Sequence, residues 1–451
     1  MDTLERLKNA GLFDRSVPRY TSYPTAPQFH EGIAAPQFGE WLAGLDTDRP
    51  VSLYVHIPFC ERLCWFCACR TQGVKTLAPV EAYLETLLAE IAMFKAARPK
   101  GVKLARLHFG GGSPTIMSLE MINKLNDAIR NAIDFEDGYE FSVEIDPTAC
   151  NIDKIKAFAK GGMNRASIGV QDFNEKVQAA IGRPQGYDLT RRIVGDLRDQ
   201  GIGSINIDMV YGLPFQDMDA LQNTTRQVLT LAPDRVALFG YAHVPWMAKR
   251  QKMIPEDSLP GPIERFEQSE EAAAMFVDAG MEAIGIDHFA KPQDSLAIAA
   301  RSNGLHRNFQ GYTDDKCSAL IGLGASSISR FPQGFIQNNV ATTNYNTSIS
   351  NKTWPAARGF ELSLEDKMRS RAIEMLMCDF RIDLAALESE FGEAALEIRD
   401  ECYRAIAEFR GFVGLEGDNF EILPEGQPLT RLIANVFDTF TTAQAKHSRA
   451  I

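Results

Sequence analysis

The feature that most restricts how this chain can fold is an alternation. Short runs rich in β-branched residues recur from residue 52 onward: SLYVHI (Ser52–Ile57), LARLHF (Leu104–Phe109), YEFSVEI (Tyr139–Ile145), NRASIGV (Asn164–Val170), SINIDMV (Ser204–Val210), RVALFG (Arg235–Gly240) and MEAIGI (Met281–Ile286). Helical patterns such as VEAYLETLLAEIAMFK and DLTRRIVGDLRDQ separate most of them. Glycine marks the helix ends in GGMNRAS, QGIGSIN and DAGMEAI. Repeated strand–helix units bring strands together in parallel, because each helix carries the chain back to the start of the sheet. An α/β fold is therefore predicted, its sheet either curved into a full or partial barrel or opened and doubly wound.

The strand ends choose between these. In a barrel the loops after the strands build the site; a doubly wound sheet concentrates chemistry at one switch point. Here nearly every strand runs out into polar or glycine-rich sequence: His56, Gly110 to Ser113, Glu144 with Asp146, Gln171 with Asp172, Asp208, Tyr241 with His243, and Asp287 with His288. Helix capping accounts for a share of these, but not for a histidine or glutamine after several strands. A barrel with a wide mouth is expected.

Three parts are expected along the chain. Residues 1–47 hold PRYTSYPTAPQF (Pro18–Phe29), whose prolines favour an extended arm. Residues 48–355 carry the barrel. Residues 356–451 change to helices, then a hairpin-like FVGLEGDNFEILPEG (Phe412–Gly426) and a last helix: a smaller, mainly helical domain of winged-helix type. The net charge of -12 would repel a phosphate backbone, so nucleic acid is not an expected partner. No apolar run approaches the roughly 20 residues that span a bilayer, and MDTLERLKNAGLFDRS is too charged for a secretory leader. A cytoplasmic monomer is the expectation, with Cys150, Cys317, Cys378 and Cys402 as buried free thiols.

The other four cysteines crowd into CERLCWFCAC (Cys60–Cys69), directly after the first strand. Structural zinc usually takes two separated pairs, and the close Cys67-Ala68-Cys69 spacing would strain chelation by all four thiols at once. An iron–sulfur cluster suits the loop better. Three thiolates can hold three corners of a four-iron cube and leave the fourth iron open, with Phe59, Trp65 and Phe66 as an apolar shell.

The spacing Cys60-x3-Cys64-x2-Cys67 after a first barrel strand resembles the radical S-adenosylmethionine (SAM) superfamily. HFGGGSPT (His108–Thr115) resembles that superfamily's SAM-holding segment and lacks the GK[ST] of a phosphate loop. PRYTSYPTA, LYVHIPFCERLCWFCAC, HFGGGSPT, EIDP (Glu144–Pro147), GVQDFN (Gly169–Asn174), NIDMVYGLP (Asn206–Pro214), YAHVP (Tyr241–Pro245), DHFAKP (Asp287–Pro292) and HRNFQGYT (His306–Thr313) together resemble the oxygen-independent coproporphyrinogen III oxidase family. The match runs nearly the full length. The PRYTSYPTA arm, HRNFQGYT and the fourth cysteine set the chain apart from the haem-chaperone paralogue, the alternative reading, which would bind haem and decarboxylate nothing.

The resemblance implies a partial (β/α) radical-SAM barrel. Carried over by position, it makes Cys60, Cys64 and Cys67 the ligands of a [4Fe-4S] cluster. Tyr54, Gly111, Gly112, Ser113, Glu144, Gln171, Arg183, Asp208, Ala242 and Ile328 become SAM contacts, and Phe66 touches a second SAM. His56, Glu144 and Cys69 stand with the ligands as candidate catalytic residues. Ser113, Ala68 and Gly182 depart from the family's usual threonine, glycine and asparagine. The implied reaction turns two propionates of coproporphyrinogen III into vinyl groups: a radical derived from SAM removes a hydrogen atom, CO2 leaves, and one electron passes to an acceptor. Neither the reductant nor the final acceptor is identified by the sequence. The substrate's four carboxylates need cations in an acidic chain, and His306, Arg307 and Arg19 are the candidates.

Overall fold

The computed structural model describes residues 3–440 and residue 450. Its centre is one twelve-stranded sheet. Strands β1 (Val51–Ile57), β2 (Lys103–Gly111), β3 (Asp134–Ile145), β4 (Arg165–Gln171), β5 (Ser204–Tyr211) and β6 (Arg235–Gly240) lie side by side in chain order, each parallel to the next. Their order never reverses, so this part of the sheet has no switch point. The strands read as continuous apolar runs because helices cover one face and the interior of the curve the other. In β1 every residue but Tyr54 is buried.

The returning helices begin where short polar side chains accept the first free N–H groups. Ser118 caps Leu119–Ala132, Asn151 caps Ile152–Lys160 and Asp217 caps Met218–Thr230. Each helix delivers the chain to the bottom of the next strand, so every strand ends on the same rim.

Past β6 the pattern changes. MEAIGI forms only a short strand, β7 (Glu282–Ile284), and it does not pair with β6. Gly285, at φ 56, turns the chain at once, so β8 (His288–Ala290) comes back antiparallel and inserts between β6 and β7. So short a connection cannot make a parallel crossover. The seventh parallel strand is instead β9 (Leu320–Leu323), on the far side of β1. Beyond it β10 (Ile328–Phe331), β11 (Gly334–Asn338) and β12 (Ala356–Glu361) extend the sheet antiparallel. With β12 and β7 as its outermost strands the sheet does not close on itself, so the barrel is partial and its mouth open. The sheet's last strand lies just beyond residue 355.

A second core forms around the helices Leu364–Asp379, Leu384–Phe391 and Leu396–Glu408 and a three-stranded sheet of Arg381–Asp383, Asn419–Ile422 and Val413–Glu416. Leu7, Leu12, Phe13, Val17, Tyr20 and Tyr23 from the N-terminal segment are buried in it. That segment then crosses to the large sheet, where Phe29 stacks on Phe335 and His30 pairs with Gly359 of β12. It is not extended throughout, since Thr3–Asn9 and Ala35–Ala43 are helical.

Candidate active site

The rim of the sheet gathers the strand-end residues. At the end of β1, Tyr54 Oη lies 2.9 Å from His56 Nδ1, and His56 Nε2 lies 3.4 Å from the Arg70 carbonyl. The carbonyl can only accept, so Nε2 carries the proton and Nδ1 accepts from Tyr54. Burial pushes the His56 pKa down, which keeps the ring neutral. This pair braces the cysteine loop, because Arg70 follows Cys69 directly.

The glycine run at the end of β2 is required by its neighbours. A Cβ on Gly110 would fall 2.6 Å from Glu144 Oε1, one on Gly111 2.7 Å from the His56 ring, and one on Gly112 2.5 Å from the Phe59 carbonyl. Gly112 N–H donates to Ile57 O and Ser113 N–H to Phe59 O, stitching β2 to the start of the cysteine loop. Gly111 N–H also donates to Glu144 Oε2 at 3.1 Å, and His108 Nε2 lies 3.3 Å from Glu144 Oε1. Ser113 is buried and its hydroxyl is engaged with Thr115 at 2.9 Å.

At the end of β4, Gln171 has φ 68, and Asp172 N–H donates back to Val170 O at 2.9 Å. This is the rare positive-φ γ-turn, a strained conformation of a kind that clusters at functional sites. Buried Asp172 anchors it by accepting from Gln216 at 2.6 Å and Thr224 at 3.0 Å. On β5, Asp208 accepts from Asn206 at 2.8 Å and Ser167 at 3.2 Å; burial raises its pKa.

Arg183 joins this rim to the cysteine loop. Its Nη2 donates to Gly169 O at 2.9 Å and its Nη1 to Cys64 Sγ at 3.4 Å, with Asp146 3.8 Å away. Gly182 just before it is left-handed (φ 66) and lies under the Trp65 ring. Glycine and asparagine are the two residues most at ease there, which accounts for the departure at this position. Cys64 is buried, Cys60 and Cys67 are half-buried, and Cys69 is exposed. The Cys69 backbone N–H points at Cys67 Sγ, 3.4 Å away. A hydrogen bond from the Cys69 thiol, together with that N–H, Arg250 and Arg183, holds the Cys67 thiol below its ordinary range. Burial pushes Cys60 up to about 12.

Two residues that the strand-end pattern did not single out complete the loop's support. Gln251 is buried and donates both amide protons, to Phe66 O at 2.8 Å and Ala242 O at 3.0 Å. Arg250 donates to Cys69 O at 2.8 Å and Thr71 at 3.0 Å. Ile328, at the start of β10, sits on the flank of the rim beyond β9.

A cavity of about 830 Å³ opens between the β5–β8 end of the sheet and the C-terminal helices. Arg19, Ala242, His243, Arg265, Asp287 and Arg307 are among the residues lining it. The Arg307 side chain is buried, lies 4.0 Å from Asp287 and stacks on Tyr312; its Nε and Nη1 have no hydrogen-bond partner among the described residues. Arg19 donates to Gly240 O at 2.8 Å. His306 does not reach this cavity. It lines a separate space of about 90 Å³, with Nδ1 3.3 Å from Glu374.

The donor set fits an iron–sulfur cluster: three thiols from one loop, two of whose sulfurs receive N–H donors, among aromatic side chains.

Known proteins share this architecture. The radical SAM superfamily model matches residues 54–228. An oxygen-independent coproporphyrinogen III oxidase of Cereibacter sphaeroides is 54% identical over 451 residues, 100% of each chain. One from Escherichia coli is 35% identical over 436 residues, 96% of this chain and 95% of that one. The solved structure of coproporphyrinogen III oxidase from Escherichia coli, described as a radical SAM enzyme, superimposes with a TM-score of 0.90 at 33% identity, over 95% of this chain and 100% of the other. The order of the strands, the cysteine loop on the rim and the full-length identity agree: the chain belongs to the oxygen-independent coproporphyrinogen III oxidase family of radical SAM enzymes.

Proposed function

We propose that this enzyme converts two propionate side chains of coproporphyrinogen III to vinyl groups without oxygen, yielding protoporphyrinogen IX for haem synthesis. The observation that carries the reading is the cysteine loop on the strand-end rim, together with a large cavity at the β5–β8 end of the same sheet that holds a buried, under-partnered arginine. Cys60, Cys64 and Cys67 hold a [4Fe-4S] cluster, and Tyr54, Gly111, Gly112, Ser113, Glu144, Gln171, Arg183, Asp208, Ala242 and Ile328 surround SAM. When bound, these two groups supply the one-electron cleavage that starts hydrogen abstraction from the propionate.

The chain's own part is to place and shield. Glu144 and Asp208 present carboxylates to cationic or hydroxyl groups, and Arg183 presents a cation to a carboxylate. Gln171 is locked in one orientation by the turn that Asp172 anchors. Ser113 has its hydroxyl on Thr115 and its N–H on the Phe59 carbonyl, so it acts by holding the glycine run against the cysteine loop. His56 and Tyr54 keep the loop in register with β1. Arg307 and Arg19 neutralise substrate carboxylates, and Arg307 has the open N–H groups to do so. Phe66, tied by Gln251 to the cavity-lining Ala242, stands where a second SAM would meet the substrate. Residues 1–47 act as the arm, 48–355 with β12 as the catalytic barrel, and the remainder as the smaller, mainly helical C-terminal domain. A cytoplasmic setting goes with this reading, since the five cysteines outside the cluster set stand as unpaired thiols, as a reducing compartment would keep them.

The test is anaerobic purification, cluster reconstitution, and addition of SAM, a reductant and coproporphyrinogen III. Fluorescence at the protoporphyrin position after oxidation is the expected result. Intact substrate beside a cluster that cleaves SAM would overturn the reading, and stoichiometric haem binding without turnover would favour a chaperone.

A further inference from the structure

Asp287 is an anion in a cavity whose proposed substrate carries four negative charges. It sits in the turn between β7 and β8, on the cavity wall, with its side chain 18% exposed. The other carboxylates of that wall, Glu256, Glu270 and Glu425, belong to residues exposed to solvent. A buried acid serving only as a counter-ion would have its oxygens bonded to the arginines. Asp287 does not.

The turn fixes where its side chain points. Asp287 O accepts from Leu238 N–H at 2.8 Å, and Ile286 N–H donates to Tyr312 Oη at 3.2 Å, so the backbone is pinned from both sides. His288 Nδ1 lies 2.6 Å from Oδ1. A carboxylate oxygen only accepts, so the ring nitrogen carries the proton. Oδ2 has no hydrogen-bond donor among the described residues, and Arg307 Nη2, 4.0 Å from it, is beyond hydrogen-bond reach. Burial by itself would keep the group neutral, but His288, Arg307 and Arg19 outweigh it and hold its pKa below the ordinary carboxylate range. An ionised oxygen is thus held in one place with lone pairs open to the cavity.

The carboxylates of coproporphyrinogen III are acceptors, and such an oxygen repels them. Its hydrogen-bond donors are the four pyrrole N–H groups. Saturated bridges let the pyrrole rings tilt until several N–H groups converge on one point, whereas an aromatic porphyrin is flat and keeps two N–H groups within its plane. We propose that Asp287 Oδ2 accepts pyrrole N–H groups of the tetrapyrrole and makes the cavity selective for the reduced porphyrinogen. The inference rests on the proposed reaction and deepens it: Arg307 and Arg19 meet the carboxylates, and Asp287 meets the ring centre. Hydrogen bonds to an ionised acceptor are the stronger kind, and a site built around an N–H donor rejects an analogue that lacks it.

Three probes share the four propionates: coproporphyrinogen III with four N–H groups, coproporphyrin III with two, and its palladium(II) complex with none. Their binding to the reconstituted enzyme, without SAM or reductant, is measured by anaerobic equilibrium dialysis. The wild type should bind the porphyrinogen at least tenfold more tightly than the palladium complex. In Asp287→Asn the porphyrinogen should bind at least tenfold more weakly than in the wild type. The palladium complex should bind at least as tightly as before, because removing a negative charge favours a tetra-anion. A preference that survives the substitution would overturn the inference. Equal weakening of all three probes would also overturn it, leaving Asp287 as a support of the arginines. Asp287→Glu keeps the charge and moves the oxygens by one methylene. If the asparagine variant does not fold, loss of the preference in the glutamate variant supports the inference, and its survival overturns it. A wild type that cleaves SAM yet binds none of the three probes would overturn the substrate reading itself, and the inference with it.

Discussion

Arg183 Nη1 stands 3.4 Å from Cys64 Sγ while its Nη2 holds the Gly169 carbonyl at 2.9 Å. One planar guanidinium thus ties the cysteine loop to the strand end beside Gln171. Arg183→Lys keeps the charge but cannot reach both acceptors in a fixed fork. Cluster absorbance should survive, and SAM affinity should fall about tenfold, or ~1.4 kcal/mol, in equilibrium binding. Unchanged affinity would reduce Arg183 to a packing cation.

Glu90 is fully buried under the rim, where it accepts from Gly324 N–H at 2.6 Å, Tyr345 Oη at 2.7 Å and Asn338 at 3.0 Å. Burial outweighs those donors and lifts its pKa from 4.5 to about 7. A group whose pKa is raised by folding adds stability that is complete below the unfolded value and lost as pH climbs through the folded one. Wild-type stability should therefore lose up to about 3 kcal/mol between pH 4.5 and 7 from this group. Glu90→Gln should flatten that stretch of the denaturation midpoint plotted against pH. Parallel curves for the two proteins would show that Glu90 is ionised throughout.

The open N–H groups of Arg307 predict opposite effects on folding and binding. Leaving buried donors unpaired is costly, so Arg307→Met should alter unfolding free energy by no more than about 1 kcal/mol. Removing a buried partner of a carboxylate costs about 2–5 kcal/mol in a complex, so coproporphyrin should bind at least tenfold more weakly. A fluorescence titration checks this, and unaltered binding would remove Arg307 from the substrate site.

Cys69 is exposed, and both its backbone N–H and its thiol donate toward Cys67 Sγ. Cys69→Ser keeps that N–H and a hydroxyl donor. The iron–sulfur absorbance should remain; its loss would contradict the assignment of three ligands. Loss of turnover alone would place the thiol in catalysis.

Much of the rim was legible from the chain because parallel strands joined by helices must end on one side. His56, Glu144, Gln171 and Asp208 needed only their strands to be found. Gln251 and Arg250 were hidden, since their partners on the cysteine loop lie more than 170 residues upstream and nothing in the run KRQKM marks an inward face. Glu90 reads as an ordinary polar position in VEAYLETLLAEIAMFK, and its burial depends on the hairpin and helix that fold over it after β9. His306 and Arg307 are neighbours in sequence and both line the small space, yet the Arg307 side chain alone also reaches the large cavity, where it faces Asp287, while His306 faces Glu374. MEAIGI had the composition of a parallel strand, but Gly285 reversed it.

The sequence by itself determined the parallel strand order, the common rim and the cysteine spacing, because these depend on local periodicity and on the short reach of one loop. Tertiary structure decided which strands close the flanks, where the cavity lies and which cations face it. Those depend on contacts between segments hundreds of residues apart, whose burial and pairing no local pattern encodes.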